Sequence, residues 1–220
     1  MRRPLAPALA LAAAAFLLIG CASAPSSTSS TGPTTAPSSP TPTATAEIEP
    51  QIVVSLDGIA VTDETGTRNA AFADPGTLLD LLEETSGELP DPEKVENLPG
   101  YDSDFVNYTW DGLRVFTDSA REAPASVAIT GPSLNGVPIV TEEGLAVGST
   151  RQELLDAGAW GLVDTDDPTT AEFVGLGGRE VPGVESLTHP GSVGILYELF
   201  WFDGDVVTQI QVPSNDFSDL

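Results

Sequence analysis

The chain has one cysteine, one histidine, one methionine and only eight basic residues against 33 acidic ones in 220. Each shortage excludes something. With so few Lys and Arg and a formal net charge of -25, a patch able to neutralise a run of phosphates cannot be assembled, which argues against nucleic acid as a partner. A single cysteine cannot close an internal disulfide, and a single histidine rules out multi-histidine zinc and iron centres. His189 is the one imidazole available to a nucleophile-base pair. Its Thr188-His189-Pro190-Gly191 context reads as an exposed turn, and no Gly-x-Ser-x-Gly elbow accompanies it.

Charge is also missing from the start of the chain. After Arg2 and Arg3, the stretch Pro4 to Gly20 is uncharged and rich in Leu and Ala, the pattern of a secretory signal. As a helix, Leu5 to Ile19 would span roughly 22 Å, short of the roughly 30 Å hydrocarbon core. The run ends in Leu18-Ile19-Gly20-Cys21, which resembles the lipobox of bacterial lipoproteins. The resemblance implies that the thiol of Cys21 receives a diacylglyceryl group and that residues 1–20 are removed. Cys21 then becomes the lipidated N-terminus on the outer face of the cell membrane. Two acyl chains hold a protein durably where one alone holds it only reversibly.

Residues 22–46 contain seven Ser, seven Thr, five Pro, five Ala and one Gly, with no charge and no aromatic. Such a segment has too little apolar surface to offset its ordering entropy. It reads as a tether, roughly 25 to 30 Å long as a coil and up to roughly 80 Å if proline imposes polyproline II. All 33 acids and all three Trp fall in residues 47–220, a length that supports one globular region. Without residues 1–20, six bases stand against 33 acids, a net charge of -27. Seven Arg to one Lys suggests GC-rich coding, as in actinobacteria.

Punctuation and periodicity predict an α+β fold with antiparallel sheets and short packed helices. Alternating apolar residues read Gln51 to Val61 as one strand. Asp74-Pro75 opens a helix over Thr77 to Leu82 with Gly87 as its stop, and Thr150 with Glu153 forms a capping box before Leu154-Leu155. Phe105 to Phe116 and Ile195 to Val212 read as hairpins turning at Asp111-Gly112 and Asp203-Gly204. In the second, alternation puts Val206, Thr208, Ile210 and Val212 on one face. The order of a Gly-apolar-Ala-Val strand end (Gly58 to Val61, Gly144 to Val147), a helix and an Asp-Gly hairpin occurs twice. Tandem modules over 47–132 and 133–220 are one explanation, and chance in a chain of this length is the other. Gly144 to Gly158 resembles a phrase in outer-membrane assembly lipoproteins of the SmpA/OmlA type and in β-lactamase-inhibitor-protein-like domains. That resemblance implies a helix on an antiparallel sheet whose exposed face binds another protein.

Three acidic groups invite a calcium reading: Asp102/Asp104, Asp164/Asp166/Asp167 and Asp203/Asp205. An EF-hand loop begun at Asp164 fails, with Pro168 at position five, Thr169 at six and Gly175 at twelve. Aromatics flank both hairpin turns. Most belong to a core, and the remainder form a candidate binding face of Tyr108, Trp110 and Trp201. No catalytic, cofactor or metal residue is expected. The whole reads as a lipid-anchored, non-enzymatic module that binds an envelope protein or cell-wall polymer. The alternatives are a carboxylate-based envelope hydrolase and a weak calcium-binding protein.

Overall fold

The computed structural model describes residues 49–97, 102–163 and 166–217. The expected signal, Cys21, the tether and Asp164 lie outside them. No helix among the described residues is long and apolar enough to cross a membrane.

The stretch read as one strand is a hairpin. β1 (Gln51–Ser55) and β2 (Gly58–Asp63) turn on Leu56 and Asp57, with Ile52 opposite Val61 and Val54 opposite Ile59. The two-residue turn shifts the apolar alternation by one, from even to odd positions, and folding back across it brings all four apolar side chains onto one buried face. β3 (Gly66–Ala71) continues the meander, and β9 (Val137–Thr141) adds to the other side of β1 in parallel. With the short β8 (Ser133–Leu134) these form a five-stranded sheet in the order β3-β2-β1-β9-β8.

The second sheet has seven strands, all antiparallel: β10 (Phe173–Glu185), β11 (Val193–Asp203), β12 (Val206–Asn215), β7 (Ser126–Ile129), β6 (Leu113–Asp118), β5 (Phe105–Trp110) and β4 (Glu93–Lys94), in that spatial order. Both sheets draw strands from both halves of the chain. One core cluster joins Ile52, Val54 and Ile139 of the smaller sheet to Val115, Ile129, Phe200 and Ile210 of the larger. Burial of these faces from water is the main favourable term holding the sheets together.

Two short helices complete the fold. α1 (Pro75–Ser86) starts where expected: the Asp74 carboxylate accepts from Thr77 N and Thr77 Oγ1, and Gly87 ends it at φ 88°. Pro75, Leu78, Leu79, Leu81 and Leu82 are its buried residues. α2 (Arg151–Asp156) has the expected capping box between Thr150 and Glu153. The bonds from Thr150 hold the Glu153 carboxyl below the usual range.

The repeat suggested by the sequence is uneven in the structure. Gly58 to Val61 lies in β2, whereas Gly144 to Val147 lies in a loop. The first hairpin turns on Asp111-Gly112 between paired Trp110 and Leu113. The second turns on Gly204-Asp205, one residue later than expected, between paired Asp203 and Val206. The expected face of β12 is also corrected. Trp201 pairs with Gln209 and Phe202 with Val207, so Thr208 is an extra residue in a bulge. The bulge resets the alternation: Val207, Ile210 and Val212 are buried, while Val206 and Thr208 are exposed.

Candidate binding groove on the outer sheet face

The face of the seven-stranded sheet turned away from the core is set by alternation in β5, β6 and β7. Val106, Tyr108 and Trp110 point inward with Leu113, Val115, Val127 and Ile129. Phe105, Asn107, Arg114, Phe116, Ser126 and Ala128 therefore share the outer face. Cross-strand register then lays out two rows. Thr109, Arg114, Ala128, Gln211 and Leu199 form one across five strands, and Asn107, Phe116 and Ser126 form the other. The Phe105 and Phe116 rings stack with centroids 4.7 Å apart.

Phe105, Asn107, Arg114, Phe116, Ser126, Ala128 and Gln211, with Leu196, Pro213, Asn215 and Phe217, line a concavity of about 920 Å³. Its charge is the unusual part. No Asp or Glu is among its sixteen lining residues, and Arg114 is its one charged side chain. The other described arginines are engaged: Arg68 with Asp63 and Glu84, Arg179 with Asp57, Arg151 with Asp205, and Arg121 with the Tyr108 hydroxyl and ring. Among the described residues Arg114 is exposed on β6 with neither an ion pair nor a hydrogen bond.

The structure corrects the expected binding face. Tyr108 and Trp110 are core residues, 2% and 7% exposed, because they fall on the inward register of β5. The Trp110 indole N–H donates to Ser86 Oγ and to the Glu88 carbonyl, so its polar edge is satisfied inside the fold. Trp201 is exposed and tilts against Phe173 at 5.2 Å on the outer face near the β11-β12 turn, beyond the groove lining. The groove residues left a signal in the sequence that the aromatics obscured. Residues 123–141 form a run of nineteen without a charge, and β5 and β12 are uncharged throughout.

A smaller concavity of about 230 Å³ lies on the smaller sheet, where Asp57 and Glu142 are among the lining residues. At the far end of the β10-β11 hairpin, His189 sits beside a serine and an aspartate: its backbone N–H donates to Ser186 Oγ. Ser186 Oγ donates to Asp216 Oδ2 at 2.5 Å, Thr188 Oγ1 is 2.9 Å from His189 Nδ1, and Asp216 Oδ1 accepts from Ile195 N. The serine proton is thus committed to the carboxylate, and Ser186 is only 3% exposed. This wiring lashes the 186–192 loop to the residues that follow β12. A nucleophile-base pair would have the imidazole receive that proton instead.

The acidic groups considered for calcium are spoken for locally or remain apart. Asp167 accepts from Thr169, which holds its carboxyl below the usual range, and Asp205 pairs with Arg151. No group of three or more His, Cys, Asp or Glu among the described residues is placed to hold a metal ion. Among the described residues the one carboxyl pushed strongly upward is Glu198 on β11, to about 8, by burial and then by the charges of Glu143 and Glu142. Its Oε2 is buried with no hydrogen-bond partner.

Compared with known proteins, no family model, no curated protein and no solved structure matches the chain.

Proposed function

We propose that the protein is a lipid-anchored, extracytoplasmic, non-enzymatic binding protein whose head docks an envelope protein or cell-wall component through the outer face of the seven-stranded sheet. Diacylglyceryl on Cys21 holds it to the outer face of the cell membrane, and residues 22–46 carry the head away from the lipid headgroups. We read the fold as α+β, with residues 47–132 and 133–220 as related modules that share the order of strands, short helix and hairpin.

The observation that carries the binding role is the acid-free groove. The head has 33 acids in 174 residues, close to one in five, so an unbiased lining of sixteen residues would hold about three. It holds none. Stacked Phe105 and Phe116, the amides of Asn107 and Gln211 and a single Arg114 combine apolar area with a few orienting polar groups, the make-up of a ligand-binding surface. The same lining disfavours the hydrolase alternative, because a carboxylate pair has no place in it.

Two measurements test the reading. Cys21→Ser is expected to release the protein from the membrane fraction. A photo-crosslinking amino acid in place of Phe116, activated on intact cells, is expected to give one discrete adduct that Ser126→Trp abolishes by filling the groove. No adduct, together with turnover of a wall polymer by the purified chain, would overturn it.

A further inference from the structure

We infer that the groove recognises a single carboxylate carried on a loop or strand of a partner protein, with Arg114 as the anchor and apolar side chains of the partner beside it. The inference rests on the binding role proposed above and names its chemistry.

The first argument is charge complementarity. Arg114 is exposed on β6, an inner strand of the sheet, and its cross-strand neighbours, Thr109 and Ala128, are neutral. In a chain this rich in acids, a guanidinium whose surroundings hold no carboxylate presents its whole donor fork to a visitor. That fork matches a carboxylate with two parallel hydrogen bonds, and the bond strengthens as the partner excludes water.

The second argument limits how much charge the partner brings. Beyond the groove the head is strongly negative, with 33 acids against six bases over residues 21–220. A polyanion such as a nucleic acid or a phosphate-rich wall polymer would meet one favourable charge and many repulsive ones. A lone Asp or Glu side chain meets Arg114 at contact distance, while charges beyond roughly 8 Å are screened at physiological salt.

The third argument is size and lining. The groove crosses β5, β6, β7, β12 and β11. Four gaps of about 4.8 Å make it about 19 Å wide, which is the length of about six residues of extended chain. The Phe105-Phe116 stack lies at one end, and Leu196 with Phe217 at the other. Arg114 stands at one edge of this lining, so the groove suits an acid followed by apolar side chains, which is peptide-like chemistry.

The experiment places the photo-crosslinker at position 116 of the full lipid-anchored chain on intact cells, with Arg114 intact or changed. Arg114 is exposed and unpartnered, so R114Q, R114K and R114E are expected to melt as the parent does. With Arg114 intact, the adduct should map to a segment of another protein that contains Asp or Glu. Its yield should fall about tenfold in R114Q and further in R114E, and recover in part in R114K, which keeps the charge without the fork. An undiminished adduct in R114E would overturn the carboxylate anchor and leave the groove as a binding site. An adduct with a second copy of this chain, with lipid or with wall glycan would overturn the partner class. No adduct with Arg114 intact would overturn both this inference and the binding role beneath it.

Discussion

The guanidinium of Arg151 lies 3.8 Å from the centre of the Phe202 ring. It also donates to the carbonyls of Pro168, Ala171 and Gly204 and to the Asp205 carboxylate, although Arg151 is only 7% exposed. One side chain thereby ties α2 to the 166–172 loop and to the β11-β12 turn. Arg151→Ala would leave three carbonyls without their donor, and a loss of about 3 kcal/mol in unfolding free energy is expected. Arg151→Lys should lose about half as much, since an ammonium keeps the charge but cannot reach carbonyls on several sides. Urea unfolding checks both; equal losses for Lys and Ala would mean that charge contributes little.

Trp110 and Trp201 look alike in the sequence, each beside a hairpin turn, yet they differ sharply in burial. Trp110→Ala opens a core cavity and removes the donor to Ser86 and Glu88, so a loss of about 3 to 5 kcal/mol is expected. Trp201→Ala removes a side chain that is 38% exposed and should cost under about 1.5 kcal/mol. Denaturant midpoints of the two variants decide the matter, and near-equal losses would contradict the inward register of β5.

Much of this architecture was legible where local chemistry is decisive. Asp74, Gly87, Thr150 and Glu153 announce both helices because a cap needs a particular side chain at a particular position. Gly112 and Gly204 mark both hairpin turns. The turn at Leu56-Asp57 left two marks, the Asp57-Gly58 pair and the one-residue phase shift from Ile52 and Val54 to Ile59 and Val61, which a reading of one continuous strand passes over. β10 was hidden by Gly177, Gly178, Pro182 and Gly183, which read as loop but sit in a long, bulged edge strand. The face of β12 was misjudged because a bulge depends on its partner strand and leaves no mark in alternation. The groove went unseen for a related reason. The conspicuous aromatics Tyr108 and Trp110 fall at inward positions, whereas the outer face is distinguished by the absence of charge over residues 123–141 and β12.

Gly58 follows the Leu56-Asp57 turn, where an added Cβ would sit 2.1 Å from the Ala70 carbonyl oxygen and 2.8 Å from Ala71 Cα. Both are backbone atoms of β3, so neither can rotate away. Gly58→Ala should force β2 and β3 apart and cost about 2 to 3 kcal/mol or more. Gly76→Ala is the control: its Cβ would meet only Asp74 Oδ1 at 3.5 Å, an ordinary contact, and alanine favours the helix. Thermal melts should show a large fall for the first variant and none for the second.

Glu198 gives the fold a pH dependence opposite in sign to that of its other perturbed acids. Asp63, Asp74, Asp118, Glu153 and Asp167 are held below their usual range by hydrogen bonds, so their stabilisation is lost as pH falls through the acid range. Glu198 is 4% exposed, faces the charges of Glu143 and Glu142, and keeps its proton to about 8 against 4.5 when unfolded. Between those values the folded chain binds more protons than the unfolded one, so stability falls as pH rises, by up to about 1.4 kcal/mol per pH unit. Below 4.5 both states are protonated and above about 8 both are ionised, so the dependence flattens at each end. Glu198→Gln mimics the neutral form. It should match the parent near pH 4 to 5 and exceed it by a margin that widens up to pH 8, as read from urea midpoints at each pH. A margin that stays constant across that range would show that Glu198 is ionised in the folded chain throughout.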